Sequence, residues 1–144
     1  MKHFLIVLCC AFVFTALSGA PAAKGKVKWG NDIAEAQKSI KGTKRSVLLF
    51  FTAPGWCGPC RRLESGAVGS SKFAKIAKEN AAVRLDFSDR KNVSEKAKAA
   101  LSHYKVQGFP SLLVLDGEGK EKGRIVGALP EKKFFAELKK LLKK

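Results

Sequence analysis

The hydrophobic pattern changes period several times along this chain, and each change predicts an element. From Asp32 to Lys41, Ile33, Ala36 and Ile40 recur at helical spacing; Asp32 can cap the start with Glu35 as reciprocal partner, and Gly42 ends the helix. Residues 46–52, Ser-Val-Leu-Leu-Phe-Phe-Thr, are apolar almost throughout, as in a strand covered on both faces. Ala53-Pro54-Gly55 breaks that run, and a helix is predicted from about Cys57 and Gly58, with Pro59 in its first turn, where a missing N–H does no harm. Gly66 and Gly69 should interrupt it before a second helical stretch over 71–80, carried by Phe73, Ile76 and Ala77. Residues 82–87 alternate as a strand does. Asn92 with Glu95 predicts a capped helix through about Tyr104. Residues 111–115 form a fourth apolar run, and the Asp116-Gly117-Glu118-Gly119 turn leads to a strand at 121–126. The last helix starts at Pro130 and turns Phe134, Leu138, Leu141 and Leu142 inward.

Strands alternating with helices favour parallel pairing through right-handed crossovers, while the short connection after 115 favours a hairpin. The sum is an α/β fold: a central mixed β-sheet flanked by helices on both faces. This domain is expected over 31–144. A linker over 23–30 precedes it, ending at Trp29-Gly30, with Trp29 as a core anchor for the first helix.

Residues 1–22 fall outside that pattern. A basic start, Met1-Lys2-His3, is followed by an apolar run from Phe4 to Leu17 and by small residues at Ala20-Pro21-Ala22. This order reads as a secretory signal cut after Ala22. The run is shorter than the roughly 20 residues of a membrane span, so no stable span is expected after processing.

Processing also changes the cysteine arithmetic. Of four cysteines, Cys9 and Cys10 leave with the signal, and Cys57 and Cys60 remain with His103 as the one histidine. Such a close pair shuts too small a loop to be an effective staple. It also falls short of the four ligands of a structural zinc site. Redox chemistry is the reading it favours, with a structural disulfide or a metal half-site as alternatives. No metal is expected. The net charge of +16 raises the question of nucleic acid. The lysines are scattered, however, without an arginine-and-aromatic platform, which points instead to a solvated basic surface and no specific nucleic-acid partner.

A sulfur nucleophile must be a thiolate. Cys57, just before a helix, meets unpaired N–H groups and the positive end of the helix dipole. Cys60, one turn deeper, should be less exposed and should face it. The spacing therefore predicts two unlike thiols, one that attacks and one that resolves.

Three segments resemble one family. Trp56-Cys57-Gly58-Pro59-Cys60 is similar, residue for residue, to the active-site motif of thioredoxins. Val106-Gln107-Gly108-Phe109-Pro110-Ser111 resembles their cis-proline loop, and Val126-Gly127-Ala128-Leu129 the segment leading into their final helix. The resemblance covers Val27 to the C-terminus. It implies a thioredoxin-like fold with Cys57 as nucleophile, Cys60 as resolving thiol and Pro110 in cis beside the sulfurs. By the same resemblance, the Phe109 backbone would pair with an extended substrate segment, Trp56 would shape the docking surface, and Gly127 would allow a partner backbone to come close.

One departure stands out. Thioredoxins usually carry a buried aspartate in the strand before the motif, where it helps move the proton of the resolving thiol. Here that strand is Val47-Leu48-Leu49-Phe50-Phe51, without a carboxylate. Proton transfer must then use water, Glu64 or another group. Arg61 and Arg62 are candidates for tuning Cys57 or meeting acidic partners, or are simply exposed helix positions. His103 is expected to complement a helix C-terminus, and Asp86 to be a solvated acid at a strand end.

The expectation is a monomeric, exported thiol–disulfide oxidoreductase, periplasmic if the source is Gram-negative and otherwise secreted. It would act on disulfide-containing exported proteins, with a membrane or soluble thiol reductant as electron donor and no cofactor beyond its dithiol. An oxidant or isomerase of the same fold, or a redox-inert binding module, are the alternatives.

Overall fold

The computed structural model describes residues 24–144. The secretory signal expected over 1–22, with Cys9 and Cys10, lies outside the described residues. Nine elements follow in order: α1 (Ile33–Ile40), β1 (Val47–Thr52), α2 (Gly58–Ser65), α3 (Ser71–Glu79), β2 (Ala81–Asp86), α4 (Glu95–His103), β3 (Ser111–Leu115), β4 (Glu121–Val126) and α5 (Glu131–Lys143).

The four strands form one sheet in the order β2-β1-β3-β4. β1 runs parallel to β2 and antiparallel to β3, and β3 to β4 is antiparallel. The sheet is thus mixed, with the expected hairpin at its β4 edge. Alternation sorts β1 between two layers. Val47, Leu49 and Phe51 join Ile40 of α1 and Ala97 and Ala100 of α4. Leu48 and Phe50 join Leu63 of α2, Phe73 and Ala77 of α3, and Phe134, Phe135, Leu138 and Leu141 of α5. Each of Val47 to Phe51 is fully buried, which is why the sequence there lacks alternation.

Local chemistry sets the helix boundaries. Asp32 caps α1, its side chain accepting from Glu35 N at 3.1 Å. Gly69 separates α2 from α3: a Cβ there would lie 2.2 Å from the Glu64 carbonyl oxygen, so only glycine admits the close approach. Ser70 then caps α3, accepting from Phe73 N.

Three expectations need correction. Ser94, not Asn92, caps α4, accepting from Ala97 N at 3.2 Å. Asn92 is instead drawn into a turn by Asp89, to which its side-chain amide donates at 2.7 Å. The buried face of α5 includes Phe135, which stands edge-on to Phe134 at 5.4 Å, while Leu142 is only half-buried. And the segment expected as a linker is docked from Lys24 onward. Gly25 N donates to Gly69 O at 2.9 Å, and Gly30 forms a parallel bridge to Val83 that extends the sheet past β2. Trp29 stacks on Phe50 and Phe73, with ring centroids 5.7 and 5.9 Å away. It is therefore the expected anchor, but against α3 and β1 rather than α1.

Candidate redox site

The site lies where β1 and β2, being parallel, both end, the edge of an α/β sheet at which loops converge. After Thr52 the chain turns through Ala53–Trp56 and enters α2. Cys57 is the residue that caps this helix: its backbone is extended, and its Sγ accepts from Cys60 N at 3.2 Å. The N–H of the second cysteine thus points at the sulfur of the first, the environment expected to favour a thiolate there. Pro59 occupies the first turn at no hydrogen-bonding cost.

Cys57 and Cys60 are joined as a disulfide, with Cα atoms 5.3 Å apart. Their environments differ. Cys57 keeps 7% exposure and Cys60 none. The peptide bond from Phe109 to Pro110 is cis, and the Phe109 carbonyl oxygen lies 3.8 Å from Cys57 Sγ. Gly127, at φ +84°, donates its N–H to Pro110 O at 2.8 Å and so ties the end of β4 to the proline loop. A Cβ on Gly127 would meet nothing within 4 Å, so its surroundings are open to an approaching chain. The predicted site residues Trp56, Cys57, Gly58, Pro59, Cys60, Phe109, Pro110 and Gly127 thus come from three segments that the fold brings to one rim.

Trp56 is held there by polar and aromatic contacts. Its Nε1 donates to Phe87 O at 2.9 Å, and its ring stands edge-on to Phe109 at 5.8 Å while remaining 42% exposed. Phe109 packs on Phe87 at 5.0 Å, and Phe87 on Phe51 at 6.2 Å. An aromatic chain therefore runs from the buried strand to the rim.

Sequence reasoning missed the loop after β2. Gly55 N donates to Ser88 Oγ at 2.9 Å, and the guanidinium of Arg90 covers the Trp56 ring at 4.2 Å. No motif marks Phe87, Ser88 and Arg90. The available signal was their place directly after a strand parallel to β1.

The structure also settles where the nearby acids go. Glu64 accepts from Thr52 Oγ1 at 2.5 Å and pairs with Arg84 at 3.2 Å; Arg84 pairs with Asp86 at 2.9 Å. Thr52 follows Phe51 and points to the opposite face of β1. Cys60 belongs to the apolar layer with Phe51, Ala53, Leu85, Phe87 and Val106. Glu64 is thus engaged elsewhere, and Asp86 is the exposed strand-end acid expected. His103 closes α4 with its ring against Tyr104, away from the sulfurs among the described contacts.

A family model for a thioredoxin-like domain matches residues 33–142. The chain belongs to the thioredoxin family of thiol–disulfide oxidoreductases. Among its curated relatives is the disulfide bond reductase DsbH of Chlamydia pneumoniae, 32% identical over 110 residues, covering 73% of this chain and 66% of that protein. The thiol:disulfide interchange protein DsbD of Klebsiella pneumoniae is 25% identical over 127 residues, 84% of this chain but 21% of DsbD. The chain therefore spans just under two thirds of the one relative and about a fifth of the other. A solved DsbH oxidoreductase superposes with a TM-score of 0.71 at 30% identity, over 85% of this chain and 88% of that one. A thioredoxin from Thermus thermophilus matches in fold, with a TM-score of 0.65 at 18% identity.

Proposed function

We propose that this thioredoxin-family chain reduces disulfides in exported proteins through Cys57 and Cys60. The observation that carries the reading is the inequality of two bonded cysteines at one helix end: Cys57, at the helix cap, keeps slight exposure and Cys60 has none.

In the reduced form, the Cys57 thiolate attacks one sulfur of a partner disulfide. A Cys57–partner bond forms, the partner's sulfur–sulfur bond breaks, and its second sulfur leaves as a thiolate that takes a proton. Cys60 then loses its proton and attacks Cys57 Sγ. The internal disulfide forms, and the partner's remaining sulfur departs reduced. Two electrons have passed from the dithiol to the partner. A membrane or soluble thiol reductant restores the pair, so the cycle uses no cofactor beyond the protein's own dithiol.

Gly58-Pro59 between the cysteines and the similarity to a protein named a disulfide bond reductase both support the reducing direction. The apolar leader pattern over 1–22 supports export, and with it a substrate pool outside the cytoplasm. No helix among the described residues is long and apolar enough to cross a membrane. One observation favours the opposite direction. Arg61, Arg62 and Arg90 lie around Cys57, and positive charge stabilises the reduced thiolate, which makes a stronger oxidant.

Insulin reduction tests the activity: wild type should precipitate the B chain, and both Cys57→Ala and Cys60→Ala should lose turnover. The same rate without the sulfurs would end the reading that Cys57 and Cys60 do the chemistry, and no reduction by the wild type would leave a redox-inert binding module. Equilibration of the pair with glutathione then fixes direction, since a potential well above that of the glutathione pool would make the chain an oxidant.

A further inference from the structure

We propose that the rim around Cys57 selects disulfides flanked by acidic side chains, so that the natural substrates carry Asp or Glu within a few residues of the cysteine attacked. The inference rests on the oxidoreductase reading above and names its substrate class.

The rim presents apolar surface and positive charge together. Trp56 and Val126, 42% and 55% exposed, are the exposed large hydrophobics among the described residues. Val126 pairs with Ser111, next to Pro110, so both lie at the sulfur rim. On the Trp56 side of the rim stand three guanidinium groups. A Cβ built on Gly58 would lie 3.8 Å from Arg62 Nη1 and 3.9 Å from Arg61 Nη2, so both groups reach the residue after Cys57. The Arg90 guanidinium lies over the residue before it, 4.2 Å from the Trp56 ring.

None of the three pairs with a carboxylate among the described residues, whereas Arg84 and Arg124 both do. Arg61 is fixed by donating to Pro54 O at 2.7 Å, and Arg90 by the indole face. They are preorganised cations with unused donors, which is what binding a carboxylate at modest entropic cost requires. Of the nearby acids, Glu64 and Asp86 share Arg84, and the Asp89 carboxylate is turned to Asn92 and the Lys91 backbone N–H rather than to an arginine, so the three guanidiniums outnumber the one carboxylate left without a cation.

A polyanion such as nucleic acid fits less well. It brings no disulfide, and the cations frame an exposed indole and an aliphatic side chain rather than lining a continuous groove. The occupant with matching chemistry is an extended polypeptide that lays a cysteine on Cys57, an apolar residue on Trp56 or Val126, and carboxylates on the arginines.

The test uses the reduced protein and three short peptides with one intramolecular disulfide, identical except for the two residues flanking the attacked cysteine: both Glu, both Gln, or both Lys. Second-order rate constants for peptide reduction should fall in that order, Glu over Gln by about tenfold at low salt, and should converge to within about twofold at 0.5 M salt. In the R61Q/R62Q/R90Q variant the ratio of Glu to Gln peptide should approach one; R90Q alone should lower it in part. The ratio, rather than the rate, is the readout, because removing positive charge also alters Cys57 for every peptide. Equal rates for the Glu and Gln peptides in wild type, or a ratio that survives the triple substitution, would overturn the inference while leaving the oxidoreductase reading intact. Failure to reduce any of the three would remove the reading and the inference with it.

Discussion

The apolar setting of Cys60 makes the second half of the cycle depend on pH in a calculable way. Cys60 is fully buried and belongs to the apolar layer that also holds Phe51, Ala53, Leu85, Phe87 and Val106. The carboxylate one turn along α2, Glu64, is taken by Thr52 and Arg84. Release of the partner from the mixed disulfide then draws on whatever fraction of Cys60 ionises to water. An ordinary thiol with a pKa near 8.5 is about 3% thiolate at pH 7, and an apolar shell lowers that fraction further. While the thiol is mainly protonated, the fraction rises tenfold per pH unit. From pH 6 to pH 8 the release rate should therefore climb by about 100-fold, whereas a resident general base titrating below pH 6 would hold the rise to a few-fold. Stopped-flow release from a mixed disulfide preformed on Cys57 measures this directly.

Phe51→Asp supplies the missing acid. It should raise release at pH 7 by about tenfold or more and flatten the profile, within the range that positioned general bases provide. The substitution removes a buried ring at a cost of about 3–5 kcal/mol and places a carboxyl in the core, so Phe51→Leu controls for packing and circular dichroism for folding. The wild-type profile needs no variant. A release rate flat from pH 6 to pH 8, with no gain in F51D, would refute the reasoning.

Other positions give simpler expectations. Trp29→Ala should cost about 2 kcal/mol in urea unfolding, because the half-buried indole joins the 24–30 segment to Phe50 and Phe73, yet insulin reduction by the folded protein should change little. Gly69→Ala should destabilise by at least about 2 kcal/mol, since its Cβ would overlap the Glu64 carbonyl; a Tm unchanged from wild type would refute the contact. Asp32 is held below the usual carboxylate range, first by the hydrogen bond from Lys96 and then by Glu35 N. Its folded-state pKa is depressed, so its contribution is full above the unfolded value near 3.8 and vanishes as pH falls through the lower folded value. Asp32→Asn should therefore weaken the protein at neutral pH and make the loss of stability on acidification below pH 4 shallower, as read by Tm against pH.

The elements were legible where burial imposed one period. The length and composition of the run Val47–Phe51 suit a doubly covered strand, and the cap at Asp32 and the break at Gly69 carry their own chemistry. The site was legible in Trp56–Cys60 and in Phe109-Pro110, because sulfur spacing and proline leave marks in a single line of sequence. What escaped was tertiary. The docking of 24–30 depends on an edge of β2 that exists only after the sheet forms. The Asn92 cap lost to Ser94, while Asp89, three residues back, draws the Asn92 side chain into a turn by accepting from its Nδ2. Phe87, Ser88 and Arg90 enter the site only because β2 runs parallel beside β1, and pairing order has no local signature.

The two halves of the site follow opposite electrostatic logic, and together they constrain how the protein behaves in turnover. On the Cys57 side, the N–H of Cys60 and the nearby guanidiniums all favour a thiolate. The same aromatic and aliphatic layer borders both sulfurs, but Cys60 is closed off completely within it, which disfavours a thiolate there. A sulfur whose thiolate is favoured by its surroundings is also the better leaving group, so the geometry at Cys57 would let it surrender to an attacking thiol. With Cys60 seldom ionised, that thiol can come from elsewhere on the bound partner. The arginine rim would prolong the encounter for an acidic partner, giving a second partner cysteine time to compete. Disulfide exchange within such a partner and its full reduction are then alternatives set by one ratio of rates, which pH moves through Cys60 and salt moves through Arg61, Arg62 and Arg90.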